Sequence, residues 1–279
     1  MFVSNINATI IVALRLKDGI VIAADSRVTH IFNGKLTGVE DTAEKIVIVD
    51  DFAVIFYGAV SIGNDDLLNY AKDINFTKKE MQQLINQWGS KSEVITIKMQ
   101  MLFQDKYSYW FKNNKFRPEG GFIIAGFGKD NNKSFLLYNT FAEFTTGNTA
   151  IGGYGSGSPS FGLIYKGQTE IISRLIYGVS EDIATLDFSK LGESGLMFKN
   201  TTYVNVLHEF RNLEYIIPYK EMSVGNGIEF AKFLVQTTID IQKYSNGAEL
   251  KPIPKEHAGC GGPVKIIVIT KDGIKKIEK

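Results

Sequence analysis

An α+β fold is what this chain predicts, and three observations carry it. Strand-like runs come in blocks followed by blocks of helix-like periodicity, rather than in the β-α-β alternation of a parallel sheet. The runs Ile10 to Leu14 and Ile20 to Ala24 are almost continuously apolar, as expected for strands buried on both faces between layers. At 279 residues and 44% hydrophobic, the chain is long enough for one large core.

Taken in order, Thr9 to Leu16, Ile20 to Asp25, Lys45 to Val49 and Ala53 to Tyr57 are short β-branched or aromatic runs bounded by turn residues. Lys17-Asp18-Gly19 offers a positive-φ glycine, so the first two read as a hairpin. Asp65 to Lys72 and Lys78 to Phe111 show helical periodicity, with a break at Gly89-Ser90 and an apolar stripe of Met81, Leu84 and Ile85. Gly121 to Gly128 and Ser134 to Thr140 flank the polar turn Lys129-Asp130-Asn131-Asn132 and predict a second hairpin. A short helix is expected at Phe161 to Tyr165. Longer helices follow, with stripes of Ile171, Ile172, Leu175 and Ile176, then of Ile228, Ala231, Val235 and Ile239. Residues 187–222 read as an insertion or elaborate loop, and Pro263 to Thr270 as a closing strand. With no repeat and no Pro/Ser-rich linker, residues 9–279 are expected to form a single domain.

Composition excludes several classes. A net charge of +1, from 31 basic and 30 acidic side chains interspersed, sets up no broad field for nucleic acid or anionic lipid. Apolar runs such as Phe122 to Ala125 fall far short of the ~20 residues of a membrane-spanning helix. The first eight residues lack the basic start and apolar stretch of a secretion signal, so a cytoplasmic protein is expected. The single cysteine, Cys260, rules out an internal disulfide framework, and the sequon Asn75-Phe76-Thr77 is then a chance match. His30, His208 and His257 have no metal-ligand spacing, and the acidic pairs Asp50-Asp51 and Asp65-Asp66 read as a turn and a helix start. Neither a metal nor an organic cofactor is expected.

The residues that could carry chemistry occur as an ordered set. Thr9 heads a strand, Asp25 closes the next in Ala-Ala-Asp-Ser-Arg, Lys45 stands in Glu-Lys-Ile-Val, and Tyr57-Gly58-Ala59 precedes Gly63-Asn64-Asp65. Further on come Gly126 to Asp130, Ser134 to Tyr138, Gly155 to Pro159 and Gly261-Gly262-Pro263-Val264. With these residues in this order, the chain resembles the proteasome β subunits and their bacterial relatives, within the N-terminal-nucleophile hydrolases. The likeness covers most of the chain except residues 187–222.

That resemblance implies a four-layer αββα sandwich and a threonine-type peptidase in which residues 1–8 are a propeptide and Thr9 becomes the first residue. A terminal threonine supplies a hydroxyl nucleophile together with an α-amine, of reference pKa about 7.7 to 8.0, that can accept its proton. By the same likeness Lys45 would stand beside the hydroxyl, favouring the alkoxide, with Asp25 holding it charged and oriented. A carboxylate ending the run Ile-Val-Ile-Ala-Ala is costly to bury unpaired, which independently argues for a partner. Gly58, without a side chain, suits an oxyanion-binding N–H, and Phe56 and Tyr57 would lie near the specificity pocket. Ser156 would relay a proton near the Thr9 amine; its Gly-Ser-Gly-Ser setting lacks the Lys-Ser/Thr of a P-loop. Each residue also has a plain structural explanation, as strand, turn or strand-end residue.

The chain departs from the family at several points. Ala8, rather than glycine, precedes the threonine, and self-cleavage needs a tight turn that alanine resists. His257 stands where an aspartate is expected and Cys260 where a serine is, with Glu256 or Asp240 as substitute acids. His257 and Cys260 leave open a Cys-His pair, although a cysteine in a glycine turn before a strand fits a structural role better. The segment between Asp25 and Lys45 is longer than usual, which makes Lys35 a rival to Lys45.

The expected activity is therefore peptide-bond hydrolysis on peptide or unfolded protein, in a ring or related homo-oligomer served by a regulatory ATPase. An unprocessed scaffold subunit and an amidase for a small amide remain alternatives.

Overall fold

The computed structural model describes residues 9–32, 35–49, 51–58, 61–62, 65–66, 120–127, 134–140, 152–154, 160–179, 214–245, 247–248, 251–252 and 259–277. The chain clusters into two compact units, residues 1–168 with 219–279, and residues 169–218.

The strands of the first unit are β1 (Ile10–Arg15), β2 (Ile20–Ala24), β3 (Val28–Phe32), β4 (Lys35–Glu40), β5 (Ile46–Val49), β6 (Phe52–Gly58), β7 (Ser61–Ile62), β8 (Asp65–Asp66), β9 (Gly120–Phe127), β10 (Ser134–Thr140), β11 (Gly152–Tyr154) and β12 (Gly162–Gly167). Then come β13 (Gly247–Ala248), β14 (Lys251–Pro252), β15 (Lys265–Thr270) and β16 (Gly273–Ile277). The second unit contains helix α1 (Glu170–Tyr177), and the first contains α2 (Val224–Tyr244).

The described residues of the first unit include two five-stranded antiparallel sheets, ordered β12-β1-β2-β15-β16 and β11-β10-β9-β6-β5. One apolar core joins them. Ile11, Ala13, Ile20, Ile22, Ala24, Ile267 and Ile269 from the first sheet pack with Ala53, Ile55, Tyr57, Ile123, Ala125 and Leu136 from the second. Helix α2 covers β1, β2 and β15. Strands β1 and β2 are thus buried along their whole length, because successive side chains alternate between the other sheet and the helix. Burying side chains of this kind is worth roughly 1.5–3 kcal/mol each, so the paired sheets contribute strongly to stability.

Helix α2 starts at Ser223, whose hydroxyl accepts from the Asn226 N–H at 3.2 Å. It buries Ala231, Leu234, Val235 and Ile239, and also the polar Thr238 and Gln242. Helix α1 carries an acidic first turn and a Glu170–Arg174 ion pair at 2.6 Å, and ends at Gly178 with φ 76°.

Several expectations need correction. Residues 161–165 lie largely in strand β12, not a helix, since β1 offers Ile10 to Arg15 as a partner edge for Gly162 to Gly167. Asp65 and Asp66 form a two-residue ladder with Ser61 and Ile62 rather than a helix start; the two-residue spacer Gly63-Asn64 has the composition of a hairpin loop. The other residues of the expected helices 65–72 and 78–111 lie outside the described ones, as do residues 187–213 of the insertion and Ser156. The β1–β2 hairpin forms, with Leu16 N–H donating to Gly19 O at 2.9 Å, but Gly19 is not in the positive-φ region. Glycine is needed there for space: a Cβ would sit 2.9 Å from the Ile269 carbonyl oxygen of the adjoining strand. Sequence periodicity also passed over the β3–β4 hairpin and the last strand, β16.

Candidate active site

Asp25 follows β2 and is fully buried. Its carboxylate accepts from the N–H of Ile10 at 3.0 Å and from Lys45 Nζ at 2.7 Å, both on Oδ1. Its Oδ2 accepts from the N–H of Arg27 at 3.2 Å and of Gly261 at 3.1 Å. Lys45 precedes β5, and its side chain is 1% exposed. Thr9 precedes β1 and is 1% exposed. One oxygen atom therefore holds both the ammonium of Lys45 and the peptide that follows Thr9. Thr9, Asp25 and Lys45, far apart in sequence, come together at one end of the first sheet.

The topology explains the convergence. β1 and β2 are hairpin partners, so the start of β1 faces the end of β2, with Ile11 opposite Ala24 and Asp25 N–H donating to Ile10 O at 3.2 Å. Lys45 arrives from the other sheet, where its carbonyl accepts from Phe56 N–H at 3.4 Å. Gly58 lies two residues farther along β6, is buried, and has φ 79°. That left-handed conformation is one a side chain disfavours. Of the two lysines in contention, Lys45 is the one bonded to Asp25; Lys35 pairs with Phe32 across the β3–β4 hairpin.

Burial pushes the Asp25 carboxyl above its ordinary value, while the Lys45 ammonium and the N–H groups of Ile10 and Gly261 pull the other way. Each of these contacts is a donor, so the ionised carboxylate is the form whose hydrogen bonds are all satisfied.

The glycine turn before β15 closes the site. Ser26 N–H donates to Gly261 O at 3.1 Å, and the Ser26 hydroxyl lies 2.8 Å from the carbonyl oxygens of both Asp41 and Pro263. The Arg27 guanidinium pairs with both oxygens of Asp41, at 2.6 and 2.8 Å, and lies where a Cβ on Gly261 would be. Paired glycines there make room for the arginine and for the left-handed φ of 69° at Gly262.

Cys260 is 2% exposed, and burial, with the Asp25 charge adding to it, pushes its thiol well above the ordinary value. A thiol held protonated in this way is a poor nucleophile, which argues against a Cys-His pair. Its partner in that pairing, His257, and Glu256 both lie outside the described residues. The other substitute acid, Asp240, accepts from Gln236 Nε2 at 2.9 Å within α2.

Sequence reasoning missed Ser26, Asp41 and Gln242. Ser26 adjoins a nominated residue and could have been found by its position; Asp41 and Gln242 carry no local signal, since their partners are distant in sequence. Among the described residues, no cluster of His, Cys, Asp and Glu could hold a metal ion, and no helix is long and apolar enough to cross a membrane. No protein-family model matches this chain, and no curated protein matches it in sequence.

Proposed function

We propose that the chain is a proteasome-like N-terminal-nucleophile hydrolase, a threonine-type peptidase with the four-layer αββα architecture of that family. The observation that carries this reading is the single buried oxygen of Asp25 shared by the Thr9–Ile10 peptide and the Lys45 ammonium.

After removal of residues 1–8, the α-amine of Thr9 takes the proton of its own hydroxyl as Oγ1 attacks the scissile carbonyl carbon. The Lys45 charge favours the developing alkoxide and disfavours protonation of the neighbouring amine, and Asp25 keeps that charge in place. The Gly58 N–H binds the oxyanion, its φ of 79° being open to glycine at little cost. The amine then protonates the leaving nitrogen, and water hydrolyses the acyl-threonine ester. Ser156 serves as a proton relay. The substrate class is unfolded polypeptide, the working form a ring-like homo-oligomer in the cytoplasm, and a regulatory ATPase a partner.

Thr9→Ala tests this directly: amide hydrolysis by the purified protein should fall to background. Unchanged hydrolysis would sink the proposal. Intact-mass measurement is the second arm, with a mature chain starting at Thr9 expected. A persistent Met1 start combined with inactivity would favour the scaffold reading suggested by Ala8 and His257, and hydrolysis of small amides but not peptides would favour an amidase.

A further inference from the structure

Gln242 is a buried polar side chain, 3% exposed, in the last turn of a helix whose other buried residues are mostly apolar. Its Oε1 accepts from the backbone N–H of Cys260 at 2.9 Å. The next residue, Gly261, donates its N–H to Asp25 Oδ2 at 3.1 Å, and the opposite oxygen of Asp25 holds Lys45 and Ile10. A helix packed on β1, β2 and β15 is thus connected to the Asp25–Lys45 pair through two consecutive peptide groups of a glycine-rich turn.

Such a turn benefits from an external restraint, because Gly259, Gly261 and Gly262 give its backbone more freedom than residues with side chains would. Gln242 supplies one. Packing alone does not call for an amide at a buried position of this kind, which an apolar side chain could also fill. What the amide adds is an acceptor for a buried N–H that would otherwise be left unmade.

We propose that Gln242 is a positioning residue that sets the Asp25–Lys45 pair by holding the Cys260–Gly261 turn. The proposal rests on the hydrolase reading for its kinetic consequence, and not for its structural one. Gln242 touches neither substrate nor the reacting atoms; it acts through Gly261.

The test uses Gln242→Leu and Gln242→Glu in the full chain, with Gln236→Leu as control. Cys260 is the only cysteine, and because Gln242 also hydrogen-bonds its side chain, the thiol-labelling rate is measured across pH and corrected for the thiolate fraction, so that it reports on opening of the turn. In Gln242→Leu, labelling should speed up and kcat fall, each by about tenfold, with KM within about twofold, because a buried N–H has lost its acceptor. The carboxyl carbon of Asp25, followed by NMR, should titrate at higher pH as the Gly261 donor loosens. Among the described residues, Lys45, Arg27 and Cys260 are the charged or titratable groups that interact with Asp25, and each is kept in every variant. Gln242→Glu keeps an acceptor oxygen, so labelling should return to near the wild-type rate while the acid limb of the rate profile moves to higher pH. Gln236→Leu, which removes only the bond to Asp240, should change neither readout.

Faster labelling with kcat and the Asp25 titration unmoved would reduce Gln242 to a structural role and overturn the proposal, as would a folded Gln242→Leu protein with wild-type labelling. If the wild type hydrolyses no amide, the hydrolase reading fails. The labelling rate and the Asp25 titration then still decide whether Gln242 positions the pair.

Discussion

Replacing Lys45 by Met removes the ammonium while keeping most of the side-chain volume, and so isolates the electrostatics of the buried pair. The opposed charges lie 2.7 Å apart with 1% and 0% side-chain exposure. At an effective dielectric of about 20, their attraction is about 6 kcal/mol. Desolvation opposes this by several kcal/mol per ion, so the intact pair adds little net stability. Half a pair is different. Asp25 would keep only the N–H groups of Ile10, Arg27 and Gly261 at 3.0, 3.2 and 3.1 Å, and its uncompensated burial should cost about 3–5 kcal/mol. Removing the carboxylate charge as well, in Lys45→Met/Asp25→Asn, should recover at least about 2 kcal/mol of the summed single costs, since neither ion is left alone. Urea unfolding at neutral pH, with the slope of the transition checked for constancy, measures all four corners of the cycle. The reasoning is refuted if Lys45→Met costs under about 1 kcal/mol, or if the two single costs simply add.

Other outcomes follow from the same geometry. Gly58→Ala should lose about 1–2 kcal/mol of stability from its left-handed backbone and, on the hydrolase reading, lower kcat more than it raises KM; steady-state kinetics and urea melts would show both. Gly167→Ala should be more damaging, about 3 kcal/mol or more, since φ is 94° and the new Cβ would overlap the Thr9 carbonyl oxygen, parting β12 from the start of β1. A wild-type melting temperature retained in that variant would contradict the register. The Arg27 partner lowers the Asp41 pKa below its ordinary 3.8, so this pair's contribution is present above that value and lost as pH falls through the depressed one. The stability gap between wild type and Asp41→Asn should therefore be constant near neutral pH and close in strong acid, as urea melts across pH would record.

Much of the site was legible before the fold. Asp25 stood out because a carboxylate ends the run Ile20 to Ala24, and such a group demands a partner. The residue that meets that demand was nominated from the family resemblance, with Lys35 as the rival, and nothing in the local sequence separates the two lysines. What separates them is that Lys45 enters from the second sheet beside Phe56, a pairing of distant segments. The short hairpin β7–β8 and strand β12 were missed for a related reason. Glycine-rich segments carry weak periodicity, and their conformation follows from the partner edge available to them.

By itself, then, the sequence determined the strands β1, β2, β5, β6, β9, β10 and β15, the helices α1 and α2, the doubly buried first hairpin, and Thr9, Asp25 and Lys45 as residues to watch. These are properties of local pattern and of transfer free energy, which every residue carries with it. Only the tertiary structure decided that one Asp25 oxygen joins Lys45 to the peptide after Thr9, and that Gln242 reaches the same carboxylate through Cys260 and Gly261. Those bonds link residues brought together by sheet pairing and helix docking, and a hydrogen bond over that sequence distance leaves no mark on the residues around it.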